Sequence, residues 1–154
     1  MEPVLNVEHL TKEIKGKKLV DDVSFSVKPG EIFGFLGPNG AGKTTTIRML
    51  VGLIKPSSGT ISIGGHNVRT SFKKAMRQVG SIVENPELYG YLTGWENLKQ
   101  FARMLGDITD ERIHEIVKQV QLEKRIHEKV KTYSLGMKQR LGIAQALLGN
   151  PRLL

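Results

Sequence analysis

The stretch Gly37-Pro38-Asn39-Gly40-Ala41-Gly42-Lys43-Thr44-Thr45 constrains the fold of this chain more than any other. It fits the phosphate-loop pattern: a glycine, four residues, then Gly-Lys-Ser/Thr. That pattern carries meaning only between a strand and a helix. Before it, the apolar run Glu31-Ile32-Phe33-Gly34-Phe35-Leu36 predicts a buried strand. After it, Ile47, Leu50, Val51 and Ile54 fall at helical spacing. A loop with little side-chain bulk can wrap a phosphate and aim successive N–H groups at its oxygens, and the helix start adds partial positive charge. Lys43 is placed to bridge β- and γ-phosphate oxygens, Thr44 to complete a Mg²⁺ shell with its hydroxyl, and Thr45 to donate to the α-phosphate. A glycine-rich turn with an incidental lysine is the plainer alternative, and the flanking pattern disfavours it. The expectation is nucleotide binding.

Around this loop the chain divides by texture. Val4–Val7, Val23–Val27 and Thr60–Ile63 alternate apolar and polar residues, which predicts a small antiparallel sheet beside the nucleotide core. Ser71 to Arg77 suggests a short helix, and Val79-Gly80-Ser81-Ile82-Val83 a buried strand. Glu84-Asn85-Pro86-Glu87 reads as a turn. Thr93-Gly94-Trp95-Glu96 has the capping-box form and opens a helix through Leu105. A second helix from Asp110 carries Ile113, Ile116, Val117 and Val120 on one stripe. Trp95 and Phe101 read as core residues of this helical section. A last helix from about Gly136 to Leu148 places Leu141, Ala144 and Leu148 together, and Gly149-Asn150-Pro151 stops it. Arg152-Leu153-Leu154 reads as the opening of another strand. The boundaries that follow are 1–85 for the sheet and phosphate-loop core, 86–133 for an inserted helical subdomain, and 134–154 for the last helix and the next core strand.

Composition narrows the function classes only a little. The 154 residues suffice for one domain with a sizeable core, and none is a cysteine, so no disulfide framework is available. The N-terminus lacks a basic-then-apolar signal pattern and no apolar run is long enough to span a bilayer, which together predict a soluble, cytoplasmic protein. The net charge of +8, from 23 Lys+Arg against 15 Asp+Glu, is spread over Lys12–Lys18, Lys73–Arg77 and Lys124–Lys138. No aromatic residues interleave with it as in a nucleic-acid groove, so solvated faces and phosphate attraction account for it, and no specific nucleic acid is expected as a partner. His9, His66, His114 and His127 form no recognisable metal or catalytic cluster.

A second motif, Tyr133-Ser134-Leu135-Gly136-Met137-Lys138-Gln139-Arg140, refines the reading. With the phosphate loop, the distance between the two, and the closing Leu-Leu-Gly-Asn-Pro-Arg-Leu-Leu, it resembles the signature of ATP-binding-cassette (ABC) ATPases, usually Leu-Ser-Gly-Gly-Gln before a basic residue and Gln-Arg. Ser134, Gly136, Gln139 and Arg140 match. Tyr133, Leu135 and Met137 depart from the commonest form. The resemblance spans the whole chain but only about the first two-thirds of a typical cassette. It implies an α/β phosphate-loop NTPase fold, made of a parallel sheet with helices, a small antiparallel β-subdomain and an inserted helical subdomain, incomplete at the C-terminal end before the second acidic motif.

What else the resemblance implies is specific to residues. Gly37 to Thr45 would bind ATP with Mg²⁺ held at Thr44. Ser134, Leu135, Gly136 and Met137 would meet the γ-phosphate held by a second ATP-binding subunit, and a serine hydroxyl at a helix start suits an anion. Glu84 stands where the family's glutamine loop usually has Gln, so it would be a Mg²⁺ ligand and, with Lys43, part of the catalytic site. Ile14 falls where an adenine-stacking aromatic is usual and would give apolar contact alone. Glu84-Asn85-Pro86 resembles the bacitracin-resistance and lantibiotic-immunity branch. The implied function is an ATP-binding subunit of an exporter of peptide antibiotics or similar amphiphiles, hydrolysing ATP as a dimer and held to the inner face of the cell membrane by integral permease subunits. In that arrangement Leu88, Tyr89 and Tyr91 would dock a partner helix. The 154 residues alone would bind ATP without hydrolysing it, and would be unstable or domain-swapped for want of neighbouring strands. The alternative is a soluble ABC-type ATPase acting on ribosomes or DNA, for which the compact Glu84–Tyr133 stretch supplies no coiled-coil insertion.

Overall fold

The computed structural model describes residues 2–154, which fall into two compact units. The first runs to Val79 and takes in Leu153; the second is Gly80–Arg152 with Leu154.

The first unit is built on a four-stranded antiparallel sheet of β1 (Leu5–Ile14), β2 (Lys17–Val27), β3 (Ser58–Ile63) and β4 (His66–Asn67), in the order β2-β1-β3-β4. The three expected strands are there, and β1 and β2 run further than their apolar stretches. They continue to a two-residue turn in which Lys15 (φ 51°) and Gly16 (φ 76°) both take left-handed backbone, the geometry that matches strand twist in tight hairpins. Pairing slips between Val7 and Leu10 at His9 (φ 50°). Gly59 of β3 passes so close there that a Cβ would stand 2.4 Å from the His9 carbonyl oxygen. Val4, Leu5, Val7, Leu10, Val20, Val27, Ile61 and Ile63 line the buried face, closed by Met49 of α1 (Lys43–Leu50) and Ala75 of α2 (Phe72–Met76).

Two expected core strands are not formed. Glu31–Leu36 lies in no strand, and Ile32 and Leu36 are 100% and 91% exposed. Phe33 and Phe35 are better placed, their rings 5.2 and 5.3 Å from the Phe25 ring of β2. The run is apolar enough for a buried strand, but among the described residues no strand pairs with it, and the Glu31 N–H donates instead to the Lys28 carbonyl oxygen of the preceding turn. Of Val79–Val83, only Val79 has a β partner, a single parallel bridge to Leu153 supported by Leu153 N donating to Gln78 O at 3.0 Å. The parallel sheet is represented by this one bridge.

The second unit is helical: α3 (Gly94–Leu105), α4 (Asp110–Gln119), a 3₁₀ turn at Val130–Thr132, and α5 (Leu135–Leu147). α3 begins with the expected capping box, Glu96 N donating to Thr93 Oγ1 at 3.1 Å and Thr93 N to Glu96 Oε2 at 2.7 Å. Thr109 caps α4 by one bond only, its hydroxyl oxygen accepting from Arg112 N at 3.2 Å. The stripes meet as their spacing predicts: Leu98 and Ala102 of α3, Ile113, Ile116 and Val117 of α4, and Leu141, Ala144 and Leu148 share one core. α5 therefore packs with α3 and α4. Trp95 and Phe101 sit at the margin of this core, partly buried, and the Trp95 ring lies 4.4 Å from that of His114.

Candidate functional site

The phosphate-loop residues occupy the end of the irregular segment and the first turn of α1. Gly42 precedes the helix in left-handed backbone (φ 92°), and a Cβ on it would stand 2.3 Å from the Leu19 carbonyl oxygen and 3.1 Å from a Val20 methyl. Only glycine lets the loop lie this close to β2. α1 has no side-chain cap, so its first-turn amides are not served by one, and it carries no acidic residue in that turn. Thr46 anchors the turn instead, its N–H and its hydroxyl both donating to Gly42 O, at 2.8 and 2.9 Å. The Lys43 ammonium lies across the loop, donating to the carbonyl oxygens of Gly37 and, at 2.7 Å, Pro38. Ala41 N donates back to Pro38 O.

A cleft of about 440 Å³ opens beside the loop, lined by Asn39, Gly40, Gly42, Lys43, Thr44 and Thr45 together with Lys17 and Leu19 of β2. Its charged residues are both cationic. Small loop residues, helix-start amides and two ammonium groups make an anion-binding donor set, and the exposed Thr44 hydroxyl adds one oxygen for a hard cation such as Mg²⁺. The residues thus fit a nucleotide's phosphates. They do not form a metal cage, since among the described residues no group of three or more His, Cys, Asp and Glu comes together, so a Mg²⁺ ion would depend on phosphate oxygens and water.

The other expected residues lie elsewhere. Ile14 is at the end of β1, opposite Lys17 in the register, half exposed, and does not line the cleft. Lys17 and Leu19 were not singled out from sequence. The only signal there was the basic stretch Lys12–Lys18, which reads as solvated surface. Glu84 belongs to the second unit, exposed and in left-handed backbone (φ 67°), a conformation that strains a glutamate. The Ser134–Met137 motif is also in that unit. Ser134 caps α5, its Oγ accepting from Met137 N at 3.2 Å. Leu135 and Gly136 are exposed beside it, while Met137 packs against the helical core. Tyr133 is buried next to them, donating to Arg125 O at 2.7 Å, and burial pushes its phenol up from its ordinary value.

A glycine-rich loop at the start of α1, an antiparallel sheet beside it and a helical unit carrying a serine-capped signature define an ATP-binding-cassette fold. The pattern of the ABC transporter family matches residues 20–154, and the chain belongs to that family. It is 56% identical, over its whole length, to the uncharacterized ABC transporter ATP-binding protein YhcH of Bacillus subtilis (strain 168), of which it covers 50%. It is 49% identical to the bacitracin transport ATP-binding protein BcrA of Bacillus licheniformis, again over the whole chain and 50% of the relative. A solved ATP-binding subunit of an ABC transporter superposes with a TM-score of 0.85 at 34% identity, over 96% of this chain and 63% of that one. The chain spans about half the length of these curated relatives and 63% of the solved subunit, the latter close to the two-thirds of a cassette expected. No helix among the described residues is long and apolar enough to cross a membrane.

Proposed function

We propose that this chain is the phosphate-loop and signature portion of an ABC transporter ATP-binding subunit, and that it binds Mg-ATP in the cleft beside α1. The observation that carries the proposal is the loop itself, held against β2 through Gly42 with Lys43 and Lys17 on its walls. Lys43 moves from the Gly37 and Pro38 carbonyls to the β- and γ-phosphate oxygens. The amides of Lys43, Thr44 and Thr45 point their dipoles at the anion, and the Thr44 hydroxyl enters the Mg²⁺ shell. Ile14 gives the base apolar contact from the hairpin end.

Hydrolysis belongs to a dimer in which Ser134 and Gly136, exposed at the start of α5, complete the site of a second ATP-binding subunit with Leu135 and Met137 beside them. By its likeness to the family's glutamine-loop position alone, Glu84 is proposed as a carboxylate ligand for Mg²⁺. The surface of Tyr89 and Tyr91 meets an integral permease subunit and keeps the protein on the inner face of the membrane. Export of a peptide antibiotic or similar amphiphile is supported by relatives named for bacitracin and lantibiotic transport. The test is a Mg-ATP titration of the purified protein, after its intact mass is recorded, with phosphate release followed in parallel. Binding weakened at least about tenfold by Lys43→Ala, a loss of about 1.4 kcal/mol, is the expected result. Equal affinity in the variant would overturn the assignment of the loop.

A further inference from the structure

A second cavity, of about 590 Å³, lies in the first unit near the C-terminal end of α1, the end away from Lys43. Its floor is apolar: Met49, Ile61 and Val68 are buried, and Phe72 forms a half-exposed wall. At its rim stand Lys55 and Arg69, both exposed, and no acidic residue lines it. A third cation reaches the same rim, where the Lys12 ammonium donates to the Lys55 carbonyl oxygen at 2.7 Å. The Glu8 carboxylate of adjacent β1 is already occupied, accepting from Asn6 Nδ2 at 2.9 Å and Thr60 Oγ1 at 3.2 Å.

The walls are set before any ligand arrives. Asn67 Oδ1 accepts from the backbone N–H groups of Arg69 and Thr70, at 2.8 and 3.2 Å, which fixes the turn carrying the rim arginine. The Phe72 ring lies so close on Gly52 that a Cβ there would stand 2.3 Å from it. A preformed concavity of this size, mostly apolar with a few convergent polar groups, has the make-up of a small-molecule site.

We propose that this cavity binds an amphipathic organic anion, an aliphatic body of about eight to twelve carbons on the Met49–Ile61–Val68–Phe72 surface with its single anionic head at Lys55 and Arg69. The site is separate from the cleft at the phosphate loop and does not depend on ATP.

Decanoate, kept below its micelle concentration, is titrated into the 154-residue protein by calorimetry, with methyl NMR shifts of Met49 and Ile61 followed in parallel. Decanol and decyltrimethylammonium serve as neutral and cationic controls. The expected result is saturable one-to-one binding of decanoate, at least about tenfold tighter than either control. Lys55→Glu combined with Arg69→Glu weakens it about tenfold or more, and Thr70→Trp at the mouth abolishes it. All three substituted residues are exposed, and unchanged circular dichroism and Mg-ATP affinity show that the variants are folded. Equal binding of all three probes, binding indifferent to the rim substitutions, or no saturable binding would each overturn the proposal.

Discussion

A methyl group on residue 42 would stand 2.3 Å from the Leu19 carbonyl oxygen, in backbone that L-residues resist. Gly42→Ala is therefore expected to destabilise the first unit by about 2–4 kcal/mol, combining left-handed strain with a displaced loop. A thermal melt reads the loss, and Mg-ATP binding should fall with it. Tyr133 gives a prediction of a different kind. Its phenol is raised above 10.0 mainly by burial, so the folded state keeps the proton longer than the unfolded chain. Its contribution is fully present below the unfolded value of about 10 and is lost as pH rises through the higher folded value. Tyr133→Phe should remove that part of the alkaline decline in urea-melt stability and cost about 1 kcal/mol at neutral pH, for the lost bond to Arg125 O. An alkaline limb identical in both proteins would contradict the assignment.

Among the elements, α3 is the one whose start is written out in full. Thr93→Ala should cost about 1 kcal/mol by removing the cap. Glu96 is held below its ordinary 4.5 by hydrogen bonds from the Thr93 backbone and hydroxyl, so its contribution is present above that value and lost as pH falls through the lower folded one. Denaturation followed across pH 3 to 6 in wild type and Glu96→Gln would reveal this, and parallel curves would speak against it. The box was legible because both partners lie within one turn of each other. The helical stripes of α4 and α5 were legible for the same reason. Glu31–Leu36 was misread because apolar composition reports a capacity for burial, whereas a strand also needs a neighbour to exchange hydrogen bonds with. The Lys15–Gly16 hairpin was missed because the ladder continues through residues that no longer alternate. In the site, the loop could be read from its own residues. The contribution of Lys17 and Leu19 could not, since it arises where the loop meets β2.

For the molecule as a whole, Ile32, Leu36, Ile47 and Leu53 of the first unit face solvent, an apolar load uncommon on a stable monomer. The 154-residue protein should self-associate at concentrations of about tens of micromolar in sedimentation, and Ile32→Lys with Leu36→Lys should shift it toward monomer. A monomeric wild type with a reversible cooperative melt would refute this. The second unit holds a different consequence, in the way Tyr89 and Tyr91 are carried. Asn97, buried on α3, donates to the carbonyl oxygens of Tyr89 and Thr93 and accepts from Tyr89 N. The chain from Ile126 to Lys131 is then stitched to the same region by four backbone bonds, Gly94 N to Glu128 O, Trp95 N to Ile126 O, Val130 N to Leu92 O and Lys131 N to Gly90 O. Three residues after Lys131 comes Ser134. The tyrosine loop and the segment that leads into the serine cap are thus held in one hydrogen-bonded stretch of the second unit.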